Sequence, residues 1–262
     1  MPELPEVENF KKFFLSTSLN QKVTGVEVLD KKVLTVEPSE INEALKGKNF
    51  KGAFRHGKFL FLKTSGRHLV VMHFGMTGFL VYYKEEKDAS NHLRVIFNFS
   101  NKFHLGYDCL RKFGRIYLTD NTEKFISEKK LGIDPLNGKL LFRQFQKILK
   151  GRSGNIKSVL MDQSLVSGIG NLYSDEILFQ SEIHPASITK NLNERNLIKI
   201  FSSMNRTLKA AINKGDIDEL PDSYLIHHRK KESVCPRCKG KIKFKIIGGR
   251  SSYFCTKHQK KY

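Results

Sequence analysis

The sequence predicts an α+β fold in two domains: a β-sandwich with an N-terminal helix, then a helical domain that ends in a zinc-ribbon hairpin. Three observations predict it. Short runs rich in Val, Ile, Phe and Tyr, parted by Gly, Asn, Asp or Ser clusters, fill the first half. Runs with apolar residues at helical spacing fill the second. Last, Cys235-Pro236-Arg237-Cys238 is followed sixteen residues later by Cys255-Thr256-Lys257-His258, the spacing of two metal-binding knuckles.

Composition narrows the partner. Forty-six basic against twenty-six acidic residues in a chain of 262 leave a net charge of +20. A chain that basic usually meets a polyanion, most often nucleic acid; an anionic membrane surface or ribosomal RNA is the competing reading. No apolar run approaches the roughly 20 residues of a membrane span, and no signal peptide precedes the first helix, so no membrane partner is expected. An intracellular location follows, cytoplasm or nucleoid in a prokaryote. Three of the four cysteines cluster at the C-terminus, which suggests metal rather than disulfides.

The chain opens Met1-Pro2-Glu3-Leu4-Pro5-Glu6. Removal of Met1, favoured by the small Pro2, would leave a secondary amine at the terminus. An α-amino group titrates near ~8 against ~10.4 for lysine, so far more of it is neutral and nucleophilic at neutral pH. Attack on an aldehyde-level carbon gives an iminium, cationic without protonation and therefore an electron sink. Glu3 puts a carboxylate beside that amine as a proton carrier. Pro5 suits a first helical turn, Glu6 and Glu8 suit the positive end of the dipole, and Val7, Phe10, Phe13 and Phe14 give the helix an apolar face. The plain alternative is an ordinary capped helix after a start codon.

Strand-like runs follow at 23–29, 50–55, 58–63, 68–73, 79–83, 93–99 and 115–119, which argues for a sandwich over residues 1–134. Three stretches within it exceed what folding needs. Arg55-His56-Gly57-Lys58 gathers cations around a glycine, suited either to a phosphate or to a solvated strand edge. His73-Phe74-Gly75-Met76-Thr77-Gly78 sets a thioether at a turn tip, incidental or able to enter a base stack. Arg111-Lys112-Phe113-Gly114 reads as a turn whose Phe returns to the core, or as a wedge between phosphate clamps.

Residues 122–130 are polar and helix-compatible, and Leu131-Gly132-Ile133-Asp134-Pro135-Leu136-Asn137-Gly138 is turn-rich, which marks the boundary. Helical patterns return at 140–149, 156–161, 172–179 and 194–212. Between the second and third lies Val166-Ser167-Gly168-Ile169-Gly170-Asn171, whose glycines permit a tight turn and whose following helix start could hold a phosphate. On so basic a chain it reads as a relative of the helix-turn-helix. Domains are expected at 1–134, 135–228 and 229–262. In the last, Cys235, Cys238, Cys255 and His258 would fill a tetrahedral zinc shell with no open position, a structural site. Gly248-Gly249-Arg250 lies at the expected hairpin tip and offers a guanidinium on a turn.

Taken together these stretches resemble the formamidopyrimidine-DNA glycosylase and endonuclease VIII family of DNA repair enzymes. The resemblance runs the length of the chain, through PELPEVE, RHGKFLFL, HFGMTG, RKFG, LGIDPL, IKSVLMDQSLVSGIGNLYSDEILF and GGRSSYFC. The start is more similar to the formamidopyrimidine branch. It implies a sandwich, a helix-two-turn-helix and a zinc ribbon, acting as a monomer on damaged double-stranded DNA with one structural zinc and no organic cofactor. By resemblance, Pro2 attacks C1′ of the damaged nucleotide and Glu3 is the acid that assists ring opening. Lys58 contacts the lesion phosphate and assists β-elimination, and Arg250 binds phosphates and assists δ-elimination. Met76, Arg111 and Phe113 fill the gap left by the everted nucleotide. Lys157 and Asn171 match phosphate-contacting positions, His92 a DNA-contacting histidine, and Glu176 a structural support.

Three departures from the family pattern stand out. His258 occupies a ligand position where cysteine is usual. Cys109 stands where relatives often carry Asp, which leaves the support of the wedge turn open. The segment from Gly215 to Ser233 is short for the 8-oxoguanine branch and lacks its lesion-capping loop, so weaker selectivity for 8-oxoguanine than for ring-opened or further-oxidised bases is expected. Competing readings are a catalytically silent DNA-binding relative, an endonuclease VIII-like enzyme preferring oxidised pyrimidines, and a zinc-ribbon RNA-binding protein.

Overall fold

A computed structural model describes residues 1–262. Helix α1 (Leu4–Thr17) begins at Glu3, whose backbone N–H donates to the Glu6 carboxylate at 2.8 Å, and Pro5 lies in its first turn. Leu4, Val7 and Phe14 are wholly buried on one face, with Phe14 edge-on to Phe50 at 5.0 Å and Phe10 against Phe74 at 4.5 Å.

The strands are β1 (Val23–Val28), β2 (Phe50–His56), β3 (Phe59–Thr64), β4 (Leu69–His73), β5 (Gly78–Tyr83), β6 (Leu93–Phe99), β7 (His104–Cys109) and β8 (Arg115–Thr119). They form two antiparallel sheets, β1-β6-β7-β5 and β2-β3-β4-β8. In β6, Val95, Phe97 and Phe99 enter the sandwich core and Arg94 and Asn98 are half-buried, while Leu93, across a register shift, and Ile96 are buried in a separate small cluster with Tyr83. In β3, Leu60 and Leu62 enter the sandwich core, and Phe61 packs on the far side against Phe125 of α3 (Thr122–Glu128). A strand covered on both faces reads as a continuous apolar run, which is what Phe-Leu-Phe-Leu is. Helix α2 (Pro38–Leu45), absent from the sequence-based expectation, buries Ile41 and Leu45 one turn apart and is fastened by Asn42, whose Oδ1 accepts from Val26 N at 2.9 Å.

Two compact units emerge, Met1–Lys129 and Lys130–Tyr262. The second holds α4 (Phe142–Leu149), α5 (Ile156–Met161), α6 (Asn171–Gln180) and α7 (Glu194–Lys214), then the hairpin of β9 (Lys243–Ile247) and β10 (Arg250–Phe254). From Tyr173 to Phe179 every residue of α6 is buried, so it is the central helix of this unit. Helix α7 is capped by Asn193, which exchanges side-chain hydrogen bonds with Asn196, and it buries Leu197, Ile200, Met204 and Leu208. The hairpin does not stand apart from the helices: Phe179 shares one cluster with Leu225, Cys235, Ile242 and Cys255. At its tip Gly248 and Gly249 take φ of 57° and 72°, and a Cβ on Gly248 would strike Ser158.

Candidate active site and nucleic-acid interface

In the first unit α1 carries Pro2, half-buried, and Glu3, 2 % exposed, behind a Met1 that is 57 % exposed. Lys58, nearly buried, lies in the turn between β2 and β3, where Gly57 has φ of 57°. Arg55 ties this turn to α1. Its Nε sits 2.9 Å from Glu8 Oε2, and its Nη1 donates to the Gly57 carbonyl at 3.1 Å. Burial pushes the Glu8 pKa up, but hydrogen bonds and charge from Lys11 and Arg55 outweigh it and hold the carboxyl below its ordinary value. His73, opposite Phe59 in the ladder, is pushed down to about 4, by burial first and then by the charges of Lys58 and Arg115. It is therefore a neutral acceptor at neutral pH, and its Nδ1 takes the Gly75 N–H at 3.3 Å.

The Met76 and Phe113 turns are packed backbone against backbone. Gly75 has φ of 59°, and a Cβ there would lie 2.5 Å from the Phe113 carbonyl carbon and the Gly114 nitrogen. Tyr107 Oη donates to the His73 carbonyl at 2.8 Å, in space that only a glycine at 114 leaves. Arg111 N donates to Thr77 Oγ1 at 3.1 Å, and the Arg111 guanidinium sits 5.1 Å from the Phe113 ring centroid. Phe113 is 54 % exposed and Met76 40 %, so neither returns to the core. Lys112 is not free for a phosphate: its Nζ pairs with Asp30 at 2.6 Å. Cys109 is buried and supports the turn through its backbone, its carbonyl accepting from Lys112 N at 3.2 Å and from Arg94 Nε at 3.1 Å. His92 is exposed, with its N–H held at 3.1 Å by Asp108, a buried carboxylate that also accepts from Ser90.

In the second unit the turn before α6 is latched by Gln163, an element the sequence reading missed. Its Oε1 accepts from Gly168 N at 2.9 Å, and its Nε2 donates to the carbonyls of Met161 and Ile169 at 2.8 and 2.7 Å. Gly132 fits beneath, with its N–H on the Gln163 carbonyl at 2.8 Å and no room for a Cβ against Leu165. Asn171 opens α6, half-buried. Arg250 is exposed on the hairpin.

Lys157, which the resemblance puts at a phosphate-contacting position, has its ammonium inside the unit. The residue is 0 % exposed, and its ammonium is held by Asp175 Oδ1 at 2.7 Å, the Ser251 carbonyl at 2.8 Å and Ser252 Oγ at 2.6 Å. Asp175 Oδ2 in turn accepts from Arg229 at 2.9 Å and from Tyr253 N at 3.2 Å. This network fastens β10, which starts with Arg250, to α5 and α6. Arg229 and Asp175 carried no sequence signal. Glu176, beside them, accepts from Gln180 Nε2 and Ile226 N at 2.8 Å each, and burial pushes it up to about 7 against the pull of those bonds.

The sulfurs of Cys235, Cys238 and Cys255 converge within 4.8 Å of one another, and Gly240 leaves the clearance that a Cβ would take from two of them. Three cysteines so placed can hold a metal ion. His258 is not in that group: its Nε2 donates to the Phe179 carbonyl at 3.1 Å, with the ring 4.6 Å from the Phe179 ring. No helix is long and apolar enough to cross a membrane.

Comparison with known proteins accords with this layout. Residues 1–116 match the formamidopyrimidine-DNA glycosylase N-terminal domain, and residues 131–220 match the H2TH domain of the same glycosylases. A formamidopyrimidine-DNA glycosylase of Pelotomaculum thermopropionicum is 36 % identical over 99 % of both chains, and one of Ligilactobacillus salivarius is 32 % identical over 99 % of both. A Lactococcus lactis Fpg mutant complexed with DNA containing Fapy-dG superposes with a TM-score of 0.91 at 27 % identity, covering 99 % of this chain and 100 % of that one. The Lactococcus lactis Fpg with abasic-site DNA gives 0.90 at 27 % identity over the same shares.

Proposed function

Since the chain belongs to the formamidopyrimidine-DNA glycosylase family, we propose that it is a bifunctional enzyme, a glycosylase on oxidised or ring-opened bases and a lyase at the resulting abasic site. The observation that carries the reading is the start of α1: Pro2 next to a buried Glu3, on a helix tied through Glu8 and Arg55 to the turn that bears Lys58. With Met1 removed, the Pro2 nitrogen attacks C1′, the glycosidic bond breaks, and its electron pair leaves with the base, which takes up a proton. Glu3 protonates the ring oxygen as the sugar opens, which leaves an iminium between C1′ and Pro2. Loss of a C2′ proton then expels the 3′ phosphate, and a second elimination expels the 5′ phosphate. Water finally releases the opened sugar and restores the amine.

An amine reaches C1′ only if the nucleotide leaves the stack, which costs a few kcal/mol. Met76, Arg111 and Phe113 suit the vacated space, since two are exposed apolar tips and the third is a cation lying on one of them. Lys58, His92, Asn171 and Arg250 are assigned to the DNA backbone around the lesion, and Lys157 to positioning Arg250. Zinc is assigned to Cys235, Cys238 and Cys255, and His258, now bonded through Nε2 to the Phe179 carbonyl and outside the cysteine group, would complete the shell by turning toward the three sulfurs. When bound, the zinc would hold the knuckles together. The partner is damaged double-stranded DNA, met by a monomer inside the cell.

Borohydride reduction in the presence of abasic-site duplex tests the reading. A covalent adduct mapping to Pro2 is expected, with none from protein whose N-terminus is acetylated. Strand cleavage that survives acetylation would sink it. A silent DNA-binding relative or an RNA-binding zinc ribbon would give no adduct at all.

A further inference from the structure

Arg143, Lys147 and Lys150 recur at helical spacing along α4 and its C-cap, which puts three cations on one face. That face lines a groove of about 610 Å³, with Lys190 and the start of α7 on its other wall and Leu149, Leu192 and Leu197 as its floor. Glu194 is the single acid of the lining, and none of the four cations has a carboxylate within ion-pair distance. Two other cation groups of this unit are answered by acids: Asp175 pairs with Lys157 and Arg229, and Glu232 with Lys241 and Lys243.

We propose that this groove binds a short acidic peptide segment of a partner protein, its carboxylates on the four cations and one large apolar side chain against the leucines. Charge complementarity selects an anion, and the leucine floor selects a peptide over a nucleic acid strand. A duplex backbone offers phosphates and sugars but no apolar side chain to seat in a concavity. The lining also contains neither Asn171 nor Arg250, the residues of this unit assigned to DNA. The enzyme would thus hold a protein partner without surrendering its substrate contacts. The proposal does not depend on the lyase chemistry.

The test is fluorescence anisotropy of a labelled peptide of Asp and Glu ending in Phe, titrated with the full chain at physiological salt. Saturable binding is expected, weakened about tenfold or more by Lys147→Glu with Lys150→Glu. A milder pair, Lys147→Gln with Lys150→Gln, guards against disturbance of α4 and should weaken binding less at an unchanged melting temperature. Replacing the peptide's Phe by Ala should also weaken it, and Arg250→Ala should not. Absence of saturation, indifference to the Phe, equal loss with Arg250→Ala, or one-for-one displacement by undamaged duplex would each overturn the proposal. Borohydride trapping by the Gln pair should be unchanged, which separates this test from that of the lyase reading.

Discussion

Lys157 Nζ lies 2.7 Å from Asp175 Oδ1, with both side chains shut off from solvent. The pair joins the residue after the first position of α5 to the middle of α6, and it also holds β10: Lys157 bonds the Ser251 carbonyl and the Ser252 hydroxyl, next to Arg250, and Asp175 accepts from Arg229 and Tyr253 N. Removing one partner strands a buried charge, which typically costs about 3–5 kcal/mol. Asp175→Asn and Lys157→Ala should therefore lower the melting temperature by several degrees and loosen the hairpin. In either background, Arg250→Ala should cost less duplex affinity than it does alone, because the guanidinium is no longer held in place. A double-mutant cycle on abasic-site duplex reads this directly; strict additivity would return Lys157 to an independent contact with DNA.

Arg55 links helix α1 to the Lys58 turn. Its side chain is 4 % exposed, and it bonds Glu8 and the Gly57 carbonyl at once. Arg55→Ala should lower the single-turnover rate on an abasic duplex about tenfold with little change in Kd. Arg55→Lys, which keeps the charge but loses the fork, should recover only part of the rate. Rate and affinity falling together would show that the loss is general unfolding.

Glu176 gives a pH dependence with a definite sign. Its folded pKa of about 7 lies above the ordinary 4.5, so the folded chain binds the extra proton. The associated stability, of order a few kcal/mol, is fully present below about 4.5 and is lost as pH rises through 7. The melting-temperature difference between the wild type and Glu176→Gln should thus narrow from pH 5 to pH 8. A difference that stays flat would mean the carboxyl titrates normally.

Much of the first unit could be read from the chain because its strands alternate or run apolar, and so could the two outward turns. β7 could not. His-Leu-Gly-Tyr-Asp-Cys carries two strand-averse residues, and both are there for packing: Gly106 admits Leu93 and Val81, and Asp108 accepts bonds from Ser90 and His92. α2 escaped because two buried residues in one turn make no periodicity. In the second unit the cysteine spacing pointed to a shared metal site, but no spacing tells which way the His258 ring faces. The burial of Lys157 could not be read from the chain because its partners are 18 and 94 or 95 residues away in sequence. Charge in a basic chain is legible; its burial is a tertiary fact.

The expected preference for ring-opened bases over 8-oxoguanine rests on the segment after α7. Flexible cover over an everted base needs chain length that is free of other work, and this segment has little. Its Leu220, Tyr224 and Leu225 are buried, His227 Nε2 donates to the Leu220 carbonyl at 2.9 Å and His228 Nε2 to the Asp222 carbonyl at 3.0 Å, and Ile226 N is held by Glu176. A base whose recognition needs enclosure, such as 8-oxoguanine, should then lose more than a ring-opened base, which can present its own polar groups to fixed partners. On matched duplexes the wild type should excise a formamidopyrimidine about tenfold or more faster than 8-oxoguanine, judged by kcat/KM. Glu176→Gln, which weakens the anchor at Ile226, should change the 8-oxoguanine rate more than the formamidopyrimidine rate. Equal excision of both lesions by the wild type would show that this pinned segment does not set the preference.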